Sequence, residues 1–296
     1  MTSKPDESST TTMARESVDH AWLGDALPEV ALSKSQARVV EVIARNPQLS
    51  SYADIAEIAQ RSDVNNSTVV RTAQRLGYRG WPDLQRELRS RYLVMISTED
   101  TLLEHGEHHS PLHDALNHDI ENLRLTLDSN TAEDVEAAIA ALASAKSITT
   151  IGIGSFAGPA SVMAHLGSTM GYPITLENRG GVHLASAANS LGPGDVLVVV
   201  NMWRSVQQII VTAEAAKQSG ATVVAISDMR RGRLAAAADH LLIVASEGIS
   251  FFQSVTAANS MVYGLLAGME AAHPERSRAA IRRTQQLWKD LDIYLD

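Results

Sequence analysis

The sequence has no cysteine among its 296 residues, and aromatic residues make up only 4% of it. The protein therefore forms no disulfide, has no thiol nucleophile and builds no zinc site on cysteine. No apolar run approaches the ~18–20 residues that cross a bilayer. Residues 1–30 show no basic head followed by an apolar stretch, so no signal peptide is expected. These absences predict a cytoplasmic protein without a membrane partner, and the length is typical of about two domains.

An excess of basic residues is missing overall but present locally. The chain has 34 acidic and 25 basic side chains, a net charge of −9, which argues against a nucleic-acid partner. Residues 31–93, however, hold ten basic and six acidic residues, a net charge of +4, whereas residues 1–30 sum to −4 and residues 94–296 to −9. A basic segment between acidic ones indicates an anionic partner.

The chain divides into four predicted segments. Residues 1–29 are rich in Ser and Thr and predict a disordered acidic tail. Residues 30–94 predict four short helices, one of them over 51–59, and residues 95–113 a polar linker or the start of a connecting helix. Residues 114–296 alternate strands and helices, which predicts a mostly parallel sheet covered on both faces. The predicted strands are 148–153, 173–176, 196–201, 222–226 and 240–244, and the main helices are 158–170, 205–219 and 254–269.

The basic segment has the pattern of a helix-turn-helix. The helix over 51–59 is followed by a tight turn at 61–66 and a second helix at 67–76, which Gly77 ends. In a helix-turn-helix the second helix lies in the major groove with its N-terminal side chains at the base edges. Arg pairs with guanine, Asn or Gln with adenine, and hydroxyls reach phosphate. The predicted DNA-binding residues are Asn65, Asn66, Ser67, Thr68, Arg71, Gln74, Arg75 and Arg79.

Three arginines of this segment have a second expected role. Arg79, Arg86 and Arg89 are expected to contact phosphate, which adds affinity without sequence information. The alternative is a helical interaction domain whose arginines are merely solvated.

Four stretches resemble the RpiR/MurR family of bacterial regulators in order and spacing. They are Leu32–Val40, Ala53–Ala56, Val64–Arg71 and Leu76–Trp81. The resemblance implies an all-α helix-turn-helix bundle followed by a C-terminal α/β sugar isomerase (SIS) domain, a doubly wound, mostly parallel sheet. It also implies a palindromic double-stranded DNA operator, a small-molecule effector that is a carbohydrate derivative, and a homodimer or tetramer.

A glycine-rich turn follows the first strand of the C-terminal segment. Gly152–Gly158 leads into a helix, and free N–H groups at a helix start favour an anion. Glu177 lies 23 residues after Gly154, about where a dinucleotide-binding fold has its ribose-binding acid, so an NAD-linked enzyme is one alternative. Residues 148–244 also resemble a SIS domain, so a sugar-phosphate isomerase is a second alternative.

One loop departs from the SIS pattern. The family has S-x-S-G-x-T-x-E as its phosphate loop, whereas this chain has Asn201–Gln208, without the matching serines, glycine and threonine. The pocket binds another small anion through Arg204 and Ser155 against Trp203, or a sugar phosphate through a rebuilt loop, or only supports dimerisation. The candidate effector-binding residues are Gly154, Ser155, Arg179, His183, Asn201, Trp203, Arg204, Ser205 and Glu247.

No cofactor, metal or catalytic residue is expected. A histidine cluster at 105–118 (His105, His108, His109, His113 and His118) offers imidazole ligands, but a solvated linker explains it as well. Enzymatic isomerisation needs a positioned base. Glu247 matches the acid of the family, yet the changed loop and the DNA-binding segment predict a regulator and not an enzyme. Repression and activation are not distinguished by the sequence.

Overall fold

The computed structural model describes residues 22–28, 30–104 and 110–294. Five helices build an N-terminal helical domain: α1 (Lys34–Arg45), α2 (Pro47–Tyr52), α3 (Ile55–Arg61), α4 (Asn66–Arg75) and α5 (Trp81–Met95). Two more, α6 (Thr98–Glu104) and α7 (Pro111–Ser129), follow before the C-terminal domain. Within the described ranges no helix is long and apolar enough to cross a membrane.

Side-chain caps explain where the N-terminal helices begin. Ser33 and Gln36 form a capping box at α1, and Asp54 accepts the backbone N–H of Glu57 at α3. The helix predicted over 51–59 is therefore wrong: Ala53 and Asp54 separate α2 from α3, so the domain has five helices instead of four. Pro47 at the first position of α2 begins a helix where the sequence interpretation placed only a stop.

The predicted disordered tail ends earlier than residue 29. Leu23 and Ala26 are fully buried in the core of the helical domain, around a 3-10 turn at Gly24–Ala26. The indole N–H of Trp22 donates to the backbone oxygen of Ala44 at 3.0 Å. The disorder prediction is thus wrong for residues 22–28, because the apolar side chains of this segment pack against the core of the helical domain. Residues 1–21 lie outside the described part of the chain.

The C-terminal domain is a parallel sheet with the strand order β2-β1-β3-β4-β5. Its strands are β1 (Ile148–Ile151), β2 (Ile174–Glu177), β3 (Val196–Val200), β4 (Thr222–Ser227) and β5 (His240–Ile243). Its helices are α8 (Ala132–Ser144), α9 (Ala157–Thr169), α10 (Val182–Ser190), α11 (Gln207–Gln218), α12 (Arg233–Ala237), α13 (Thr256–Ala272) and α14 (Pro274–Asp290). Each predicted strand exists, with its ends shifted by no more than two residues.

Both faces of the sheet are buried, as the unbroken apolar strands predict. Val196, Val198 and Val200 belong to one core with α8, α9 and α13, whereas Leu197 and Val199 belong to another with α10, α11 and α12. Alternate residues of a strand point to opposite faces, which produces the two cores. The predicted fold class is confirmed: a helical domain followed by a doubly wound α/β domain. All strands end at one edge, called here the carboxyl edge, to which the loops with candidate effector residues are attached.

Candidate nucleic-acid interface and ligand cavity

Helix α4 has one buried and one exposed face. Val69, Thr72 and Ala73 are buried against the domain core. The opposite face presents polar and basic side chains to solvent, namely Asn66, Ser67, Arg71, Gln74 and Arg75. The structure thus brings together on one helix face five residues for which the sequence predicts DNA contacts.

The turn before α4 is held by hydrogen bonds from α1. Asp63 has a φ of 50°, which turns the chain sharply between α3 and α4. The guanidinium of Arg38 donates to the backbone oxygens of Ser62 at 3.0 Å and of Asp63 at 2.6 Å. This turn fixes the angle between α3 and α4, the geometry that a helix-turn-helix requires.

Asn65 has a structural role at the start of α4. Its side-chain oxygen accepts hydrogen bonds from the backbone N–H of Thr68 at 2.9 Å and from the hydroxyls of Thr68 at 2.9 Å and Ser67 at 2.7 Å. Arg71 in turn donates to the Ser67 hydroxyl at 2.8 Å. These four residues therefore form one connected surface at the helix start, in which Asn65 is the N-cap.

The arginines beyond α4 separate into two groups. Arg79 is exposed. Arg86 is only 12% exposed and pairs with Asp83, while Arg89 pairs with Glu247 of the C-terminal domain at 2.6 Å. The expected phosphate contacts of Arg86 and Arg89 do not fit this arrangement, because Arg86 is largely buried and Arg89, at 28% exposed, is held by a carboxylate of the other domain.

The nine candidate effector residues follow four strands along the carboxyl edge. Arg179 and His183 follow β2 and Glu247 follows β5, at opposite sides of the sheet. Four strand spacings separate these sides, about 19 Å at ~4.8 Å each. One small ligand cannot contact both sides, so the predicted set does not form a single site.

Glu177 and Arg179 bind each other. The Glu177 carboxylate accepts from the Arg179 guanidinium at 2.6 and 3.1 Å and from its backbone N–H at 2.9 Å. The hydrogen bonds from Arg179 lower the pKa of Glu177. Since both carboxylate oxygens are already occupied, the acid that a dinucleotide-binding fold uses for a ribose hydroxyl is engaged by the protein itself.

The loop after β3 is closed onto a buried acid. Trp203 has a φ of 58°, and its backbone N–H lies 3.0 Å from both oxygens of Asp228. Asp228 is 3% exposed, and burial raises the pKa of its carboxyl. Arg204 stacks over the Trp203 ring at 4.8 Å and donates to the backbone oxygen of Ile96 at 3.2 Å. A hollow of about 140 Å³ borders this loop at Asn201, Trp203 and Ser205.

A larger cavity of about 470 Å³ lies between the two domains. One wall is α5 with Gln85, Arg86 and Arg89, and another is α7. The carboxyl edge contributes the residues after β4 and β5, among them Asp228 and Glu247. The sequence interpretation missed the α5 wall, because no local pattern shows that a helix of one domain covers the strand ends of another.

In the part of the chain that the structure describes, no three or more His, Asp and Glu side chains group to hold an ion. His105, His108 and His109 lie outside the described residues. His113 and His118 are exposed on α7, and His118 lines the larger cavity.

Two family models match this chain, one in the helical domain and one in the C-terminal domain. Residues 28–93 match the helix-turn-helix domain of the rpiR family, and residues 141–268 match the SIS domain. The HTH-type transcriptional regulator HexR of Escherichia coli is 25% identical over 202 residues, which are 66% of this chain and 68% of HexR.

Solved structures show the same fold. The sugar isomerase domain of an RpiR transcription factor from Sphaerobacter thermophilus is 28% identical with a TM-score of 0.58, covering 60% of this chain and 99% of that one. Vibrio vulnificus NanR, solved with ManNAc-6P, is 20% identical with a TM-score of 0.60, covering 88% of this chain and 94% of NanR.

Proposed function

Because an rpiR-family helix-turn-helix domain precedes a SIS domain, the chain belongs to the RpiR family of transcriptional regulators, and we propose how it binds DNA and its effector. The exposed face of α4 enters the major groove of a palindromic operator. Arg71, Gln74 and Arg75 face the base edges, and the helix start at Asn66 and Ser67 meets the phosphates. The observation that supports this is the face of α4 itself, polar and exposed opposite a fully buried apolar one.

The DNA proposal is tested with the full chain and a random duplex library. Sequences selected by binding should contain two half-sites with centres 10–10.5 base pairs or a multiple apart. Arg71→Ala with Arg75→Ala should weaken binding of the selected duplex about 100-fold in fluorescence anisotropy, because each base contact contributes ~1–3 kcal/mol. Arg278→Ala is the control, since Arg278 is exposed on α14 and pairs with Glu275. Unchanged binding by the double variant would remove α4 from the interface.

The effector is a small anionic metabolite, a sugar phosphate or another acid, and its site is the cavity between α5 and the carboxyl edge. The volume of about 470 Å³ falls within the ~300–1,000 Å³ of small-molecule sites, whereas the hollow at the Trp203 loop has about 140 Å³. Both domains line the cavity, so a ligand there contacts them differently when they move apart. A difference of this kind is what any ligand-dependent shift in operator binding requires.

The effector proposal is tested by titrating the full chain with inorganic phosphate, ManNAc-6P and a panel of sugar phosphates and carboxylic acids. A compound that is the effector should raise the melting temperature of the protein and change its affinity for the selected duplex. Arg89→Met should weaken this response, because Arg89 lines the cavity, and Arg204→Ala should not. A loss in Arg204→Ala alone would move the site to the Trp203 loop, with Ser155 and Arg204 as its anchors.

The function proposed for the protein is that of a regulator and not of an isomerase. The HTH-type relative named above is a transcriptional regulator. Glu247, which matches the acid of the family, is paired with Arg89 at 2.6 Å, so its carboxylate is engaged by the helical domain and is not placed as a free base. No interconversion of aldose and ketose phosphates is expected in a coupled assay with the full chain.

A further inference from the structure

A short loop joins the proposed effector region to the DNA-binding domain. This connecting loop, residues 228–232, lies between β4 and α12. At its start, Asp228 accepts the backbone N–H of Trp203 at 3.0 Å and the hydroxyl of Ser246 at 3.2 Å. The beginning of the loop is thus fastened to the ends of β3 and β5, at the cavity wall.

The middle of the connecting loop is fastened to α5. The backbone N–H of Arg230 donates to Glu87 at 2.7 Å, and its guanidinium pairs with Asp83 at 3.0 Å and donates to the backbone oxygen of Ser129 at 2.8 Å. Glu87 is 1% exposed and Asp83 is 9% exposed, so these contacts are largely shielded from water. Ion pairs so shielded hold one geometry, because separation would leave a buried charge without a partner.

The end of the connecting loop reaches α4. The guanidinium of Arg231 donates to the backbone oxygen of Leu76 at 2.7 Å and lies 5.8 Å from the ring centre of Tyr78. Leu76 is the C-cap of α4. The last carbonyls of a helix have no partner within the helix and bear partial negative charge, so a cation there is favourable.

Gly77 permits this approach. It has a φ of +90°, which side chains rarely allow, and a Cβ at this position would lie 2.6 Å from the Arg231 guanidinium. This position therefore requires glycine for two reasons: it ends α4, and it leaves room for an arginine from the other domain.

We infer that Arg231 is a positioning residue for DNA recognition: it clamps the C-terminal end of α4 to the SIS domain through the connecting loop. The inference rests on the proposed role of α4. A displacement of the Trp203 loop or of Ser246 by the effector moves Asp228, and the same rigid loop then moves the end of α4. Arg231 contacts neither DNA nor effector and acts through the orientation of the helix.

The test compares Arg231→Ala, Arg231→Lys and Arg233→Ala in the full chain. Arg233 is the matched control, because it follows the loop directly, is exposed and pairs with Glu214 of its own domain. Affinity is measured for the duplex selected above and for an unrelated duplex, alongside the melting temperature. Arg231→Ala should lower affinity for the selected duplex about tenfold while the unrelated duplex is unaffected, and Arg231→Lys, which keeps a cation at the helix end, should recover part of it.

Three results would overturn the inference. Equal losses on both duplexes would mean that only charge was removed, and a lower melting temperature with unchanged discrimination would mean a purely structural role. Identical behaviour of Arg231→Ala and Arg233→Ala would remove the clamp altogether. Failure of the proposed function is separate, since it appears as unchanged binding after Arg71→Ala with Arg75→Ala, whatever Arg231 does.

Discussion

Arginines in the DNA-binding domain occupy two contrasting environments. On α4, Arg71 and Arg75 are exposed. Arg71 donates hydrogen bonds to Ser67 and Arg75 donates one to the backbone oxygen of Ala31. On α5, Arg86 is 12% and Arg91 11% exposed, paired with Asp83 and Glu87. In the sequence, all of these arginines contribute equally to the net charge of +4 over residues 31–93.

The position of the carboxylates explains the difference. Helix α5 contains its own acids one helical turn from Arg86 and from Arg91, and Glu247 of the C-terminal domain pairs with Arg89. Helix α4 contains no acid. In the proposed DNA complex, the basic charge on α4 is therefore free to attract phosphate, whereas the basic charge on α5 is neutralised by carboxylates of α5 and of the second domain.

The largest effect is expected from two glutamates that look alike in sequence. Glu87 and Glu57 each pair with an arginine four residues later, but the side chain of Glu87 is 2% exposed and that of Glu57 41%. Glu87→Ala should lower the free energy of unfolding by about 3–5 kcal/mol, because Arg91 would stay buried without its carboxylate. Glu57→Ala should cost less than ~1 kcal/mol. Urea unfolding of both variants decides this, and equal losses would show that α5 is not shielded by the second domain.

A smaller effect separates Arg79 from Arg86 in DNA binding. Arg79→Ala should reduce the slope of log affinity against log salt by about one, because an exposed arginine that contacts phosphate releases about one counterion. Arg86→Ala should leave that slope unchanged and instead lower stability. Anisotropy titrations at several salt concentrations measure both slopes. A reduced slope in Arg86→Ala would mean that α5 is open to DNA.

The sequence predicts far more of the fold than of the effector site. Unbroken strands such as Val196–Val200 and the polar start of α4 are local patterns, and both were found where predicted. Helix α2 was missed, because Pro47 both stops α1 and starts the next helix. The cavity depends on Arg89 and Glu247, which are 158 residues apart. Contacts of that range depend on how two domains dock, which no local spacing encodes.

The smallest effect is expected in the pH dependence of stability, which tests the ion pair of Asp83 with Arg230 of the second domain. Burial opposes ionisation of Asp83, but the Arg79 backbone N–H and the Arg230 and Arg86 guanidiniums outweigh it and lower the pKa of that carboxyl. An acid whose pKa is lower in the folded state adds stability above its unfolded pKa of about 3.9, and this is lost as the pH falls through the folded value. Asp83→Asn should therefore be less stable than the wild type at pH 7, and the difference should shrink below about pH 4. Unfolding free energies from pH 7 to 2 test this, and a constant difference over the whole range would show that Asp83 contributes packing and not charge.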